Sequence, residues 1–242
     1  MQSDNKALSA VTDALGLGTG KVDTAYTAIN VVKDAVDEIK KKLVAAKGAS
    51  LEDQQKLQTE IKAYQNIIKS AVTNANYAGS NLLQNDGTAT SDLKVTASYN
   101  RVGTTVTIDT INVAAADTQI LDVAGTGGIV GGLLATTFFD SSTTRLDDAA
   151  VMTAIESVET ALAKLSTGAA ILGAAKNTIT LQTSFISKLS DAIDRGVGAM
   201  IDADMNAESA RLSALQVQQQ LGVQALSIAN SNAQNILALF RN

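Results

Sequence analysis

Leu8, Val11, Leu15, Val22, Ile29, Val32, Val36, Ile39 and Leu43 recur at alternating steps of three and four, with Gly18 and Ala25 in the two gaps. A heptad seam held that long predicts one helix from about residue 4 to 47. Gly48 ends it, and Ser50 with Asp53 reads as the start of a second helix. Leu57, Ile61, Tyr64, Ile68 and Ala71 give that helix a shorter apolar stripe, to about residue 74.

From residue 86 the texture changes. KVTASYNRVGTTVTIDTINV alternates in places at period two, which suits strands and turns. GTGGIVGG at 125–132 reads as a tight or flexible turn, and FFDSSTTRLDD as an exit loop. A small β-containing insertion of roughly sixty residues is expected here. The helical period returns at Leu146 and runs through Val151, Ile155, Val158, Leu162, Leu165, Leu172, Ile179, Ile186, Ile193 and Met200. A bend is expected near Gly196, because glycine weakens a helix interior, and a last helix is expected from about Ala203.

The fold class expected is therefore mainly α with a small β-containing insertion: a long antiparallel helical coiled-coil rod plus an outer β-rich domain. Four parts are expected. They are 1–85, amino-terminal rod helices; 86–145, a β-rich domain; 146–203, the returning rod helix; and 204–242, a carboxyl-terminal helix.

The last part has an unusual composition. Residues 212–240 contain no Asp, Glu, Lys or Arg, in a chain that is 18% charged. Leu212, Leu215, Leu226, Ala229, Ala233, Ile236 and Phe240 share one heptad seam, while Val217, Leu221, Ala225 and Ile228 take another face. Apolar residues on more than one face require cover on more than one side. The interspersed Gln and Asn can exchange hydrogen bonds with neighbours without the desolvation cost of a buried charge. Such a stretch suits subunit packing, with the closing of an intramolecular bundle as the other reading. A membrane span is rejected, since nine amides from Gln216 to Asn235 would sit in hydrocarbon.

Composition narrows the chemistry. The chain of 242 residues has no cysteine, histidine, proline or tryptophan, which excludes disulfides, Cys/His zinc sites, His-dependent triads and a His general base. The net charge of −5, with no basic stripe, argues against nucleic-acid binding. GTGGIVGG lacks the Lys-Ser/Thr ending of a P-loop, and Asp202, Asp204 and Glu208 lack a calcium loop; they read as a turn and as helix-start electrostatics. Lys40, Lys41 and Lys42, close to Asp34, Asp37 and Glu38, read as a solvated, salt-bridged face. No cofactor, metal or catalytic residue is expected. The start of the chain lacks the basic and apolar runs of a signal peptide.

IDADMNAESARLSALQVQQQLGVQALSIANSNAQNILALFRN, residues 201–242, closely resembles the carboxyl-terminal end of bacterial flagellin. NYAGSNLLQ at 76–84 is similar to the turn after that family's second amino-terminal helix, and SDNKALSAVTDALGLGTGKVDTA resembles its first rod helix in alphaproteobacterial members. The resemblance covers roughly residues 3–84 and 150–242. It implies a structural, self-assembling subunit of a hollow extracellular filament used for swimming. Leu212, Leu215, Leu221, Leu226, Ile228, Ile236, Leu237 and Phe240 would be inner-core packing positions, forming a self-assembly or chaperone interface. Val22, Ile29, Val32, Leu57, Ile61 and Ile68 would pack the rod against Ile155, Leu162, Ile179 and Ile186. The partners implied are other flagellin subunits, the flagellar export apparatus and a secretion chaperone, with export requiring no cleavable signal.

Two departures from the family stand out: its opening inner-core helix is not found, so an amino-terminally shortened form is expected, and SNAQN stands where members often carry proline. Glu38, Lys40, Lys41 and Lys42 replace the Arg- and Leu-containing patch seen by an innate immune receptor, so weak or absent recognition is expected. Surface Ser and Thr such as Thr104, Thr105, Ser141, Ser142, Thr143 and Thr144 are candidate sugar acceptors. The alternative readings are a cell-surface flagellin-like protein whose insertion binds a glycan or receptor, and a hook–filament junction protein. Only Tyr99, Phe138 and Phe139 supply aromatic platforms in the insertion, which weakens the glycan reading.

Overall fold

The computed structural model describes residues 2–139 and 144–239, without the side chains of Gln2, 202–204 and 232–239. It divides into two compact units, Lys6–Lys188 and Met1–Asn5 with Leu189–Asn242.

The first unit is built on α1 (Gln2–Ala46), α2 (Leu51–Asn74) and the first part of α5 (Asp148–Leu239). Every seam position of α1 from Leu8 to Leu43 is buried. Gly48 adopts a left-handed φ of 74°, the usual way to stop a helix, and Ser50 caps α2 by accepting from the Asp53 N–H at 3.2 Å. Ion pairs set the helix directions. Lys40 meets Glu159 at 2.5 Å and Asp23 meets Lys176 at 2.8 Å, so a step of 17 residues back along α1 matches 17 forward along α5. The two helices are antiparallel and stay in register. Lys42 pairs with Glu60 at 2.5 Å, and α2 likewise runs back along α1. Exposed pairs of this kind contribute little, ~0–1 kcal/mol each, and the continuous apolar seam carries the packing.

After α2 the chain makes a tight hairpin, β1 (Asn76–Tyr77) against β2 (Ser80–Asn81). Its two central residues, Ala78 and Gly79, both have positive φ, the geometry that matches the twist of paired strands. Asn81 donates to Val72 O at 2.7 Å, satisfying the end of α2, and accepts from the N–H groups of Leu83 and Gln84.

The insertion is one long antiparallel ribbon. β3 (Leu93–Thr96) pairs with β6 (Thr110–Val113), and at the tip β4 (Asn100–Val102) pairs with β5 (Thr105–Thr107). Ala97 N and Ser98 N both point to Asp109 O, so two residues oppose one in a bulge that separates the two ladders. Two short helices, α3 (Ala115–Thr118) and α4 (Gly131–Ala135), complete the insertion. The glycine-rich run forms the turn before α4. Asp122 accepts from Thr126 N there, and the neighbouring N–H groups, Gly127 first, hold its carboxyl below the ordinary aspartate value.

Two glycines of α1 make room for what packs on it: the insertion at Gly18 and the β1–β2 hairpin at Gly20. A Cβ at Gly18 would lie 2.7 Å from the Val95 methyls, and one at Gly20 would lie 2.6 Å from the Tyr77 ring. The gap in the α1 seam at Gly18 is where β3 comes down onto the helix.

The sequence predicts a new helix from about Ala203 and a bend near Gly196. Instead of a new start at Ala203, α5 continues as one α-helix through both positions. With no proline, and with Ala, Met, Glu, Arg, Leu and Gln making up most of residues 199–221, propensity carries it past the glycines. Glu208 therefore lies inside a helix and not at a helix start; the side chains of Asp202 and Asp204 are outside the described residues, as are Ser141, Ser142 and Thr143. No described helix is long and apolar enough to cross a membrane.

Candidate assembly interface

Two groups of residues are candidates for interaction, and the structure treats them differently. In the rod, Val22, Ile29, Val32, Ile61, Ile68, Ile179 and Ile186 are buried, while Leu57, Ile155 and Leu162 are half-buried. The fully covered positions of α5 are Val151, Val158, Leu165, Leu172, Ile179 and Ile186.

On α2 the inward stripe is partly polar. Gln54 and Gln58 are buried, taking the place in the packing where Leu57 was expected. Gln54 donates to Ala46 O and Leu146 O at 3.2 and 3.1 Å and accepts from Leu146 N at 2.9 Å. Gln58 accepts from Phe139 N at 2.9 Å, and Gln65 donates to Leu133 O and Thr136 O at 2.7 and 2.9 Å. Three amides thus grip the main chain that returns from the insertion. The signal was present in the spacing: 54, 58, 61, 65, 68 and 72 step by four and three. An apolar-only search skips the glutamines in it.

The second group lies on the later part of α5. Asn5 donates to Asp194 Oδ1 at 2.5 Å and accepts from Ser190, which ties the first turn of the chain to this stretch. Beyond Met200 no described side chain is buried. Leu212, Leu215, Val217, Leu221, Val223, Leu226 and Ile228 are between 52% and 72% exposed. At ~100° per residue, Leu212, Leu215, Val223 and Leu226 fall on one side, and Val217, Leu221 and Ile228 fall roughly opposite. Each side lacks charge. Ile236 and Leu237 are helical with no side chain described, and Phe240 lies outside the described residues. An isolated helix with two uncharged apolar faces has no reason to be soluble alone, and large exposed apolar surface marks an interaction site.

Family comparisons bear on what this surface is for. The model of the bacterial flagellin N-terminal helical region matches residues 1–88, and that of the C-terminal helical region matches residues 155–240. A flagellin of Brucella melitensis is 60% identical over an alignment covering 100% of this chain and 81% of the relative. The chain belongs to the bacterial flagellins. Flagellin C of Rhizobium meliloti is 40% identical, with 100% of this chain and 84% of the relative covered. Among solved structures, a flagellar hook-associated protein from Vibrio parahaemolyticus matches with a TM-score of 0.61 at 16% identity, over 81% of this chain and 92% of that one. That likeness concerns the fold.

As a flagellin of the alphaproteobacterial type, the chain is a structural subunit of the flagellar filament, which is extracellular, and it polymerises with other flagellin subunits. The junction-protein and glycan- or receptor-binding readings are not favoured, since both family models and the highly identical relatives are flagellins.

Proposed function

We propose that the filament contact runs through both uncharged faces of α5, with Leu212, Leu215 and Leu226 meeting one neighbouring subunit and Leu221 and Ile228 another. Ile236, Leu237 and Phe240 extend these contacts toward the chain end. The observation that carries the reading is the run of large apolar side chains, more than half exposed, with no charge between them. Magnitude explains why both faces are needed. Covering one such side chain contributes roughly 1 kcal/mol beyond its present burial, so one face supplies about 3–4 kcal/mol. Association alone costs ~4–15 kcal/mol. Only the two faces together, with rod contacts added, hold a subunit in place.

The same reading assigns the parts of the chain. Residues 1–85 and 146–203 form the rod, packed by Val22, Ile29, Val32, Leu57, Ile61 and Ile68 against Ile155, Leu162, Ile179 and Ile186. Residues 86–145 face outward, and 204–242 line the inner tube. Before assembly the uncharged faces are held by a secretion chaperone, and the flagellar export apparatus delivers the chain without a cleavable signal. The role is structural and uses no cofactor.

Leu221→Asp and Leu226→Asp test the reading. Each puts a charge on one face of a helix that is already exposed in the single chain, so the unfolding midpoint of the rod should stay unchanged. Filaments sheared from cells making either variant should be absent or much shortened in electron micrographs. Full-length filaments from both variants would refute it.

A further inference from the structure

The rod unit carries two exposed apolar features that have no partner within it. The first is a ridge on α5. Leu181 and Phe185 are 72% and 58% exposed, and at ~100° per residue they fall with Lys188 on the side opposite the buried Ile179 and Ile186. The second is a groove of about 360 Å³ between α1 and α2. Its apolar lining is Val31, Ala35, Tyr64 and Ile67, with Val31 and Ile67 42% and 46% exposed. Its rim is acidic. Asp34, Asp37 and Glu38 line it with one cation, Lys41, which bonds Asp37 and Glu38 at 3.1 and 2.8 Å.

We propose that the Leu181–Phe185–Lys188 ridge of one subunit docks in the α1–α2 groove of the next copy of this chain, with Lys188 meeting Asp34. The fit has three parts. Leu181 to Lys188 spans seven residues, about 10 Å of helix, and the groove runs along α1 from Val31 to Lys41, about 15 Å, so the ridge lies within its length. The charges are complementary: Lys41 already answers Asp37 and Glu38, which leaves Asp34 as the carboxylate at the Val31 end for Lys188. The direction is also right. Copies related by translation keep their axes parallel, and within one chain α5 runs antiparallel to α1, so α5 must meet a neighbour's α1 antiparallel. That orientation sets Lys188 at the Val31–Asp34 end, Phe185 over Ala35 and Tyr64, and Leu181 toward Glu38. Ridge and groove are different surfaces, so the contact is head-to-tail and does not close on itself, as an open polymer requires.

The inference rests on the filament membership of the chain and is independent of the role given to its uncharged end. Because the chain has no cysteine, introduced thiols are the only ones that react. In filaments sheared from cells making the Asp34→Cys/Lys188→Cys variant, a short bismaleimide should produce a ladder of covalent dimers, trimers and longer oligomers. Asp34→Cys and Lys188→Cys alone should give none. Filaments of the double variant that yield no ladder overturn this pairing while leaving filament membership intact. As a second reading of the same contact, Asp34→Lys and Lys188→Asp should each raise the monomer concentration in equilibrium with filament seeds by roughly fivefold, and the double exchange should restore it. A double exchange no better than the two single changes combined overturns the proposal.

Discussion

Gln54→Leu is the sharpest test of how the rod holds the returning chain. Gln54 is 1% exposed and makes three hydrogen bonds, to Ala46 O, Leu146 O and Leu146 N. Leucine has similar bulk and packs without steric cost, but it takes the Gln54 partner from the Leu146 N–H and C=O, while Ala46 O keeps its bond from Ala49 N at 3.1 Å. Each lost bond costs ~1 kcal/mol, and leaving buried partners unsatisfied adds to that, while the extra apolar burial returns about 1 kcal/mol. The net expectation is a loss of about 2–4 kcal/mol, or ~5–15 °C in Tm for a unit of this size. All four tyrosines, at 26, 64, 77 and 99, lie within Lys6–Lys188 and the chain has no tryptophan, so the tyrosine band of the near-UV circular dichroism in a urea titration reads this unit alone. The exposed neighbour Gln55→Leu is the control and should change stability by less than about 0.5 kcal/mol. Gln54→Glu adds a signed check. A buried carboxylate facing two carbonyls has its pKa raised, so the variant should be least stable at neutral pH and recover as pH falls and the acid becomes a donor. The reasoning fails if Gln54→Leu unfolds at the same urea concentration as the control.

Other perturbations have signs set by geometry. Ala78, held at a φ of 51°, should tolerate glycine with a gain of up to about 1 kcal/mol, whereas Gly79→Ala at a φ of 77° should lose about as much; paired urea titrations give both signs. Gly18→Ala should destabilise by ~1 kcal/mol despite its better helix propensity, because its methyl meets Val95, and adding Val95→Ala should relieve that clash as a non-additive term in a double-mutant cycle. Asp148 receives the Gly48 N–H and faces Arg145, which holds its carboxyl below the ordinary value of 3.8. A carboxyl depressed in the folded chain contributes stability above its unfolded pKa and loses it as pH falls through the folded one. The gap in urea midpoint between the parent and Asp148→Asn should therefore narrow as the titration is repeated below about pH 4.

The long-range order of the rod is legible in the sequence because a heptad seam reports burial directly. Leu8 to Leu43 repeat and are covered, and the period-two stretch from Lys94 to Val113 becomes the bulged ribbon. What escapes is set by less common physics. Gln54 and Gln58 sit at apolar spacing but are polar, since the surface they cover is main chain. Gly18 interrupts the seam because Val95, distant in sequence, needs the space. The run through Gly196 and Ala203 reads as two helices, since glycines suggest a break that strong helix formers on either side override. The uncharged stretch at 212–240 stands out by composition alone, and the filament contact proposed for it goes beyond one chain. If its occupants are other copies, as proposed, no single chain contains the information about which face meets which.

The glutamine grip on the returning segment has an evolutionary consequence. Gln54, Gln58 and Gln65 bond N–H and C=O groups of residues 133–146, and every amino acid carries the C=O and all but proline the N–H. A clasp on the main chain is indifferent to side-chain identity. The held stretch can drift in sequence, and loops upstream of it can be exchanged, without any compensating change in α2. The residues of the returning segment are thereby free to diversify while the helices beneath them keep their register.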